Sequence, residues 1–248
     1  MNKLGISQEY IFFDLDGTLT DSQEGILTSL KKGLESVGIS KTDDELRVFI
    51  GPPLYEIYRK GFHLSNEDTE KAIREFRNYY STKGLFENRL YDGIKDVLES
   101  AKSAGKRLVV ATSKPEDFAI RILEHFEVAE YFDFICGSSM DESRTDKAEV
   151  IRYALKKCGF SISDEAEGAG DGSCGEQDLS VSGTAYSREV LMVGDRYTDV
   201  KGAADFGIKT CYVLFGYGNK EEAEKSGAEY VVGTVKELGD FLVGANDE

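Results

Sequence analysis

Short apolar runs alternate along most of the chain with segments that have the periodicity of amphipathic helices. Runs of this kind suit buried strands, and each is followed by a segment long enough to cross back over a sheet. The alternation therefore predicts an α/β fold: a doubly wound, Rossmann-like parallel sheet with helices on both faces. We expect strands at Tyr10–Phe13, Arg107–Ala111, Phe134–Cys136, Val190–Val193, Thr210–Leu214 and Tyr230–Val232.

Helices are predicted between these strands. The segment Asp92–Ala104 has one apolar face and is followed by Gly105, and Lys147–Cys158 has another and is followed by Gly159. The last helix begins with the capping-box spacing that runs from Thr234 to Glu237. In sheets of this type ligands bind beyond the carboxyl ends of the strands, so the residues that follow each strand are the candidates for function.

The alternation stops between residues 20 and 87, where the pattern is almost entirely helical and is interrupted at Gly51-Pro52-Pro53. We interpret this stretch as a helical cap domain inserted after the first strand of an α/β core that comprises residues 1–19 and 88–248. Within the core, residues 161–187 are rich in Gly, Ser, Asp and Glu and contain no Lys or Arg. They predict an acidic mobile loop, with a ligand-binding lid as the alternative.

The formal net charge of −16 argues against binding to nucleic acid or to an anionic membrane, because both require a basic surface. The sequence has no apolar stretch of membrane-spanning length and no N-terminal signal pattern, so we expect a soluble cytoplasmic protein. Its four cysteines lack metal-type spacing and are predicted to be reduced thiols.

The stretch FFDLDGTLTDS brings two carboxylates, Asp14 and Asp16, to the end of the first strand. Either they serve a metal or a reaction, or Asp16-Gly17 is a solvated turn. A calcium-binding EF-hand loop is excluded, because Leu19 stands where that loop needs Gly and Gly25 stands where it needs Glu.

A second strand, Val190–Val193, also ends in a carboxylate, Asp195, and Asp199 follows in GDRYTD. If this strand neighbours the first, the acids from both strands converge in an oxygen-rich cluster that suits Mg²⁺. Taken alone, GDRYTD is equally compatible with a helix N-cap and a surface acid.

Two further segments are candidates for binding phosphate. Thr112-Ser113-Lys114 follows a strand and precedes a helix that starts near Pro115, where free N–H groups favour anions. Ser113 could equally be an ordinary helix cap. Lys147 lies at the start of another helix, where a solvated surface lysine is the alternative.

Together these motifs, in this order and at these predicted strand ends, resemble the haloacid dehalogenase (HAD) superfamily of aspartate-nucleophile phosphotransferases. The matching stretches are DLDGTLTDS, ATSK, Lys147 and GDRYTD. The helical insertion and the stretch RVFIGPPL, which contains Arg47, resemble the phosphoglycolate phosphatase and 5′-nucleotidase-like branch.

The resemblance implies a role for each matched residue. Asp14 would be the nucleophile that attacks phosphorus, and Asp16 would protonate the leaving oxygen and later deprotonate water. Thr112 and Lys147 would hold the phosphoryl oxygens. Mg²⁺ would be bound by Asp14, Asp195 and the Asp16 carbonyl, with Asp199 supporting the metal site. The remaining substrate- and phosphate-binding candidates are Gly17, Thr18, Ser113, Lys114 and Arg47.

The resemblance also narrows the reaction. Dehalogenases of the superfamily lack an acid at the position of Asp16, so phosphate-ester chemistry is favoured. Sugar-phosphate mutases of the superfamily usually have a histidine shortly after the first motif. Neither His63 nor His125 is close to that motif here, which favours a hydrolase over a mutase. We therefore expect a Mg²⁺-dependent phosphatase of small phosphorylated metabolites, monomeric or homodimeric. A phosphotransferase or mutase, and a regulator that binds a phosphorylated metabolite without turnover, are the alternatives.

Overall fold

The computed structural model describes residues 6–51, 54–139, 144–162 and 186–244. Contacts divide the chain into two units: Met1–Leu19 together with Tyr91–Glu248, and Thr20–Leu90. Most of the predicted acidic loop (residues 163–185, with Cys174) lies outside the described residues, as do Pro52 and Pro53. Within the described part of the chain, no helix is both long and apolar enough to cross a membrane.

Eight strands form two sheets within the described ranges. In chain order the strands are β1 (Tyr10–Phe13), β2 (Thr20–Asp21), β3 (Arg89–Leu90), β4 (Arg107–Pro115), β5 (Phe132–Ser138), β6 (Val190–Gly194), β7 (Lys209–Val213) and β8 (Tyr230–Val232). Six of them make the larger sheet in the order β5-β4-β1-β6-β7-β8, and all its neighbouring pairs are parallel. β2 and β3 form a short antiparallel pair in the second unit. The predicted α/β class and parallel sheet are confirmed.

The described part of the chain also contains ten α-helices. They are α1 (Gln23–Ser36), α2 (Asp43–Leu46), α3 (Leu54–Glu56), α4 (Asn66–Tyr79), α5 (Ile94–Ser103), α6 (Glu116–His125), α7 (Lys147–Lys157), α8 (Tyr197–Ala204), α9 (Lys220–Ser226) and α10 (Val235–Val243). The first four belong to the second unit, which also contains π-helical turns at Ile57–Gly61 and Tyr80–Gly84.

The sheet of the first unit is covered on both faces. Tyr10 and Phe12 pack into an apolar cluster with the predicted inner face of α7, while Ile11 and Phe13, which point to the other face, are also buried. Burial of one such aliphatic or aromatic side chain contributes about 1.5–3 kcal/mol to folding. This packing fixes β1 in the middle of the sheet, so the residues that follow β1 emerge between those that follow β4 and β6.

The second unit is built around α1 and α4. Leu27, Leu30 and Leu34 of α1 recur at helical spacing and are all buried, so they form one apolar face of the helix. At Gly25, helix α1 approaches the Tyr80–Gly84 turn so closely that a Cβ atom would lie 1.9 Å from the carbonyl oxygen of Gly84. This close approach explains why glycine stands in the first turn of a buried helix.

Candidate active site

Asp14 and Asp16 follow the central strand β1. The amide of Asp14 donates to the carbonyl oxygen of Val193 in β6 at 2.9 Å, so the first residue after β1 is still fixed to the neighbouring strand. The side chain of Asp14 is mostly buried. A surface turn would not hold an acid in this way, and the solvated-turn alternative does not describe Asp14.

Acids from the neighbouring strand converge on Asp14. Asp195 follows β6, and Asp199 lies in the first turn of α8; both are fully buried. One carboxylate oxygen from each of Asp14, Asp195 and Asp199 lies within 4.8 Å of the others. The carboxylate of Asp16 is not part of this cluster, and its Oδ2 lies 2.7 Å from Lys114 Nζ.

Lys147, the first residue of α7, contacts two of these acids. Its Nζ lies 2.9 Å from Asp14 Oδ1 and 2.7 Å from Asp199 Oδ1, and it donates to the carbonyl oxygen of Ala111 at 3.0 Å. Burial by itself lowers the pKa of Lys147, but the charges of Asp14 and Asp199 outweigh it and raise that pKa above its ordinary value. Lys147 is therefore a buried cation and not the solvated surface lysine of the alternative interpretation.

The charge of the cluster is not balanced by this one lysine. Burial, followed by the charges of Asp199 and Asp14, raises the pKa of Asp195 well above its ordinary value. Burial also raises the pKa of Asp199, although Lys147 opposes the shift. Three acids around one ammonium group form a site in which a further cation would stabilise the ionised carboxylates.

The donor set fits a hard divalent cation. Within the described residues, Asp14 Oδ1 and Asp199 Oδ1 are buried oxygen atoms that lie beside the ammonium of Lys147, and neither accepts a further hydrogen bond. Carboxylate and carbonyl oxygens are the ligands that Mg²⁺ prefers, and buried acceptors of this kind need a partner. The residues present could therefore hold Mg²⁺.

The segment after β4 differs from its prediction. β4 was expected to end at Ala111, but it extends to Pro115, because pairing with β5 resumes at Ser138 after an irregularity. Helix α6 begins after Pro115 without a side-chain cap, so Ser113, which is exposed, does not cap it. Thr112 is buried and directly follows Ala111, whose carbonyl oxygen accepts from Lys147. The Oγ1 atom of Thr112 accepts from the amide of Lys114 at 3.2 Å.

Lys114 is also buried, and its Nζ lies 2.7 Å from Asp16 Oδ2. The site therefore contains two lysines with separate carboxylate partners: Lys147 beside Asp14, and Lys114 beside Asp16. Both ammonium groups stand next to the acids to which the resemblance gives the chemical roles, where they can attract an anionic substrate.

Gly17 and Thr18 contact Asp195. Gly17 has a φ of +84°, and a Cβ atom on it would lie 2.2 Å from Asp195 Oδ2, so both its conformation and its surroundings require glycine. The hydroxyl of Thr18 donates to Asp195 Oδ1 at 3.4 Å. In the described residues these two therefore support an acid of the cluster; contact with phosphate remains a prediction for them.

Arg47 belongs to the second unit, where its Nη1 donates to Gln23 Oε1 and its Nε lies 3.3 Å from Asp44 Oδ1. Its side chain is 53% exposed, so these contacts leave it largely in solvent. Its role toward substrate remains a prediction. His63 and His125 are exposed as well.

The sequence interpretation missed the segment that follows β7. The amide of Tyr217 donates to Asp195 Oδ2 at 2.7 Å, and Gly216 and Gly218 lie against Gly17 and Asp195. A signal was present: FGYGN places two glycines close together after a predicted strand at the same edge of the sheet. A second missed residue is Glu222, which contacts Arg196 Nε at 3.1 Å and accepts from the amide of Tyr197 at 2.7 Å.

Comparison with known families agrees with this geometry. A profile described as haloacid dehalogenase-like hydrolase matches residues 11–175, and one described as HAD-hydrolase-like matches residues 147–238. The chain is 37% identical over 241 residues to the tyrosine-protein kinase PtkA of Mycobacterium tuberculosis, covering 96% of this chain and 74% of PtkA. It is 37% identical over 213 residues to a 5′-nucleotidase of Pseudomonas aeruginosa, covering 86% of this chain and 85% of that protein.

A solved structure extends the similarity to the fold. The structure of a putative phosphatase from Clostridium difficile matches with a TM-score of 0.80 and 38% identity, covering 95% of this chain and 99% of that one. The fold of that structure, the two family profiles and the acids at the carboxyl ends of β1 and β6 all indicate the same family. The chain belongs to the haloacid dehalogenase-like hydrolase family, and within that family it is a phosphatase.

Proposed function

We propose that the protein hydrolyses small phosphate monoesters in a Mg²⁺-dependent reaction through an aspartyl phosphate on Asp14. The observation that carries the proposal is the setting of Asp14: its carboxylate follows the central strand, contacts the buried ammonium of Lys147 at 2.9 Å, and lies in a cluster with Asp195 and Asp199. A carboxylate that attacks an anionic phosphate needs nearby positive charge, because two like charges about 4 Å apart repel by about 4 kcal/mol at an effective dielectric of about 20.

In the first half of the reaction, a carboxylate oxygen of Asp14 forms a bond to phosphorus while the ester P–O bond breaks. Asp16 donates a proton to the leaving oxygen, and the alcohol departs. In the second half, Asp16 takes a proton from water, which attacks phosphorus and releases inorganic phosphate, regenerating Asp14. Thr112 and Lys147 hold the phosphoryl oxygens through both halves.

Mg²⁺, when bound by Asp14, Asp195 and the carbonyl oxygen of Asp16 with support from Asp199, would supply the additional positive charge that offsets repulsion between nucleophile and phosphate. The chain itself holds these oxygen atoms in position. The amide of Asp14 donates a hydrogen bond to the carbonyl oxygen of Val193 in β6, and the carboxylate of Asp195 accepts hydrogen bonds from Tyr217 and Thr18.

For substrate, we propose nucleoside 5′-monophosphates first and phosphoglycolate second. The 5′-nucleotidase relative supports the first, since it matches this chain over most of both lengths. The stretch RVFIGPPL resembles the branch that contains both phosphoglycolate phosphatases and 5′-nucleotidase-like members, so it is compatible with either substrate and keeps phosphoglycolate as the second. Both are small anionic phosphate monoesters, and we infer that small phosphorylated metabolites are the chain's substrates.

A second candidate function is phosphoryl transfer to a protein tyrosine. It is favoured by one observation, the 37% identity to a protein named as a tyrosine-protein kinase, over 96% of this chain. Both functions would use Asp14 in the same place, and they differ in whether water or a phenol oxygen accepts the phosphoryl group.

A substrate panel with separate acceptor readouts tests the two functions. We expect release of inorganic phosphate from phosphate monoesters with Mg²⁺, and no labelled phosphotyrosine either on a tyrosine-containing peptide or on the chain itself. Asp14→Asn should lower kcat at least about 10³-fold because it removes the nucleophile. Asp205→Asn, at an exposed acid, is the matched control. Full activity of Asp14→Asn would refute the aspartyl-phosphate route, and transfer to tyrosine without phosphate release would establish the second function.

A further inference from the structure

We propose that the segment of residues 215–219 is a positioning loop for Asp195, and that the backbone amide of Tyr217 holds this carboxylate in the orientation that binds the divalent cation. The inference rests on the proposed function to the extent that it takes Asp195 as a metal ligand. It adds residues that the four motifs do not include.

The amide of Tyr217 is one of two donors that fix the Asp195 carboxylate. It donates to Oδ2 at 2.7 Å, which is at the short end of the range for N–H···O hydrogen bonds. The hydroxyl of Thr18 donates to Oδ1 at 3.4 Å. Among the described residues, each oxygen thus accepts from one donor, which leaves a lone pair with which it could bind a cation. Of the two contacts, the one from Tyr217 is much the shorter.

Two glycines bring this amide to Asp195. A Cβ atom on Gly216 would lie 2.2 Å from the carbonyl oxygen of Gly17 and 2.5 Å from the Cβ of Asp195. A Cβ atom on Gly218 would lie 2.0 Å from the carbonyl oxygen of Asp195. On both sides of Tyr217 the main chain therefore packs directly against the loops that follow β1 and β6, with no space for a side chain.

The segment is also fixed at both ends. At its start, the ring of Phe215 makes an edge-to-face contact with Tyr91, with ring centroids 5.1 Å apart. At its end, the side chain of Asn219 accepts from the amide of Glu222 at 3.0 Å and caps helix α9. Because the segment is held at both ends, the Tyr217 amide needs little rearrangement when a cation binds. A group that positions a metal ligand has to meet this condition.

Removing only the N–H group of residue 217 tests the inference. Tyr217 is replaced by its α-hydroxy analogue, so that an ester stands in place of the amide and the side chain is unchanged. Mg²⁺ affinity is then measured by calorimetry without substrate. Groups that orient metal ligands affect affinity by about 10–100-fold when they are lost, and we expect a loss in that range. The same ester at Tyr131, whose amide donates to Val128 outside the site, is the matched control and should change the affinity by less than about twofold.

A second variant, Gly216→Ala, tests the close approach, because its added Cβ would displace the segment from Gly17 and Asp195. This variant should also weaken Mg²⁺ binding. Its urea midpoint, measured without metal, shows whether the loss of binding comes from a general loss of stability.

An ester at 217 that binds Mg²⁺ within about twofold of wild type overturns the inference, as does a wild-type protein that binds no Mg²⁺. If the wild type binds Mg²⁺ but hydrolyses no phosphate ester, the proposed function fails while the titration of the ester still decides the role of Tyr217.

Discussion

The substitution Asp195→Asn should stabilise the metal-free protein while removing its response to Mg²⁺. Asp195 is fully buried, and burial together with the neighbouring acids disfavours its ionised form. An asparagine has the same shape, and its amide oxygen can still accept from Tyr217 while its NH₂ group faces the hydroxyl of Thr18. The change therefore removes a crowded charge and leaves the local hydrogen bonds in place.

The distances in the site set the size of the effect. Oxygen atoms of Asp14, Asp195 and Asp199 lie within 4.8 Å of one another. Two unit charges at about that distance repel by about 3.5 kcal/mol at an effective dielectric of about 20. Asp195 has two such neighbours, but protonation and the ammonium of Lys147 relieve part of this repulsion. We expect the free energy of unfolding of the variant to exceed that of wild type by about 2 kcal/mol near pH 8 in EDTA.

The gain should depend on pH with a defined sign. The pKa of Asp195 in the folded protein is raised above its ordinary value of 3.8, so the folded state retains a proton that the unfolded state has lost. Wild-type stability therefore falls as pH rises from about 4 through the raised pKa. The difference between variant and wild type should be small near pH 4, grow with pH, and level off above the raised pKa.

Urea unfolding in EDTA across this pH range measures the difference directly, and repetition with Mg²⁺ should reverse the order. At a Mg²⁺ concentration of about 100 times its Kd, wild type gains about 2.7 kcal/mol, and the variant, which lacks a ligand carboxylate, gains far less. A variant that is less stable than wild type in EDTA near pH 8, or a difference that does not change with pH, would refute the crowding argument.

Two further substitutions test other contacts. Lys147→Met removes the ammonium between Asp14 and Asp199, so the free energy of unfolding in EDTA should fall by about 3–5 kcal/mol near pH 8. The loss should be smaller at lower pH, where Asp199, whose pKa burial raises, takes up a proton. Urea unfolding measures the loss, and a loss independent of pH would contradict the prediction. Gly25→Ala places a methyl group 1.9 Å from the Gly84 carbonyl oxygen, so the free energy of unfolding should fall by at least about 2 kcal/mol. Thermal unfolding measures this loss, and an unchanged melting temperature would show that the Tyr80–Gly84 turn can move aside.

The sequence was sufficient to predict the fold because central strands such as β1 and β6 are buried on both faces. A run such as Tyr10–Phe13 has no exposed face, so it indicates a strand in the interior of a parallel sheet. The convergence of Asp14 and Asp195 was likewise predictable, since it required only that their strands be neighbours. Both predictions depend on periodicity and on the position of an acid directly after a strand.

Other features depended on contacts between distant parts of the chain. Neither the extension of β4 to Pro115 nor the exposure of Ser113 follows from local sequence, because the extension results from pairing with Ser138 of β5. The ion pair of Lys114 with Asp16 and the hydrogen bond from Tyr217 to Asp195 join residues that are far apart in sequence. A backbone amide also leaves no trace in residue type, so at Tyr217 the adjoining glycines were the available signal.

The way the helical insertion joins the core has a consequence for how such proteins can diversify. The amide of Tyr91 donates to the carbonyl oxygen of Leu19 at 3.1 Å, and β2 and β3 pair just inside the insertion. The points at which the chain leaves and re-enters the core, Leu19 and Tyr91, are therefore adjacent, and so are the first and last strands of the insertion. Replacing everything between these two points with another module, or with a short bridge, would leave the core's chain path unaltered. Recombination at this junction can therefore vary the accessory domain while the machinery for chemistry is inherited intact.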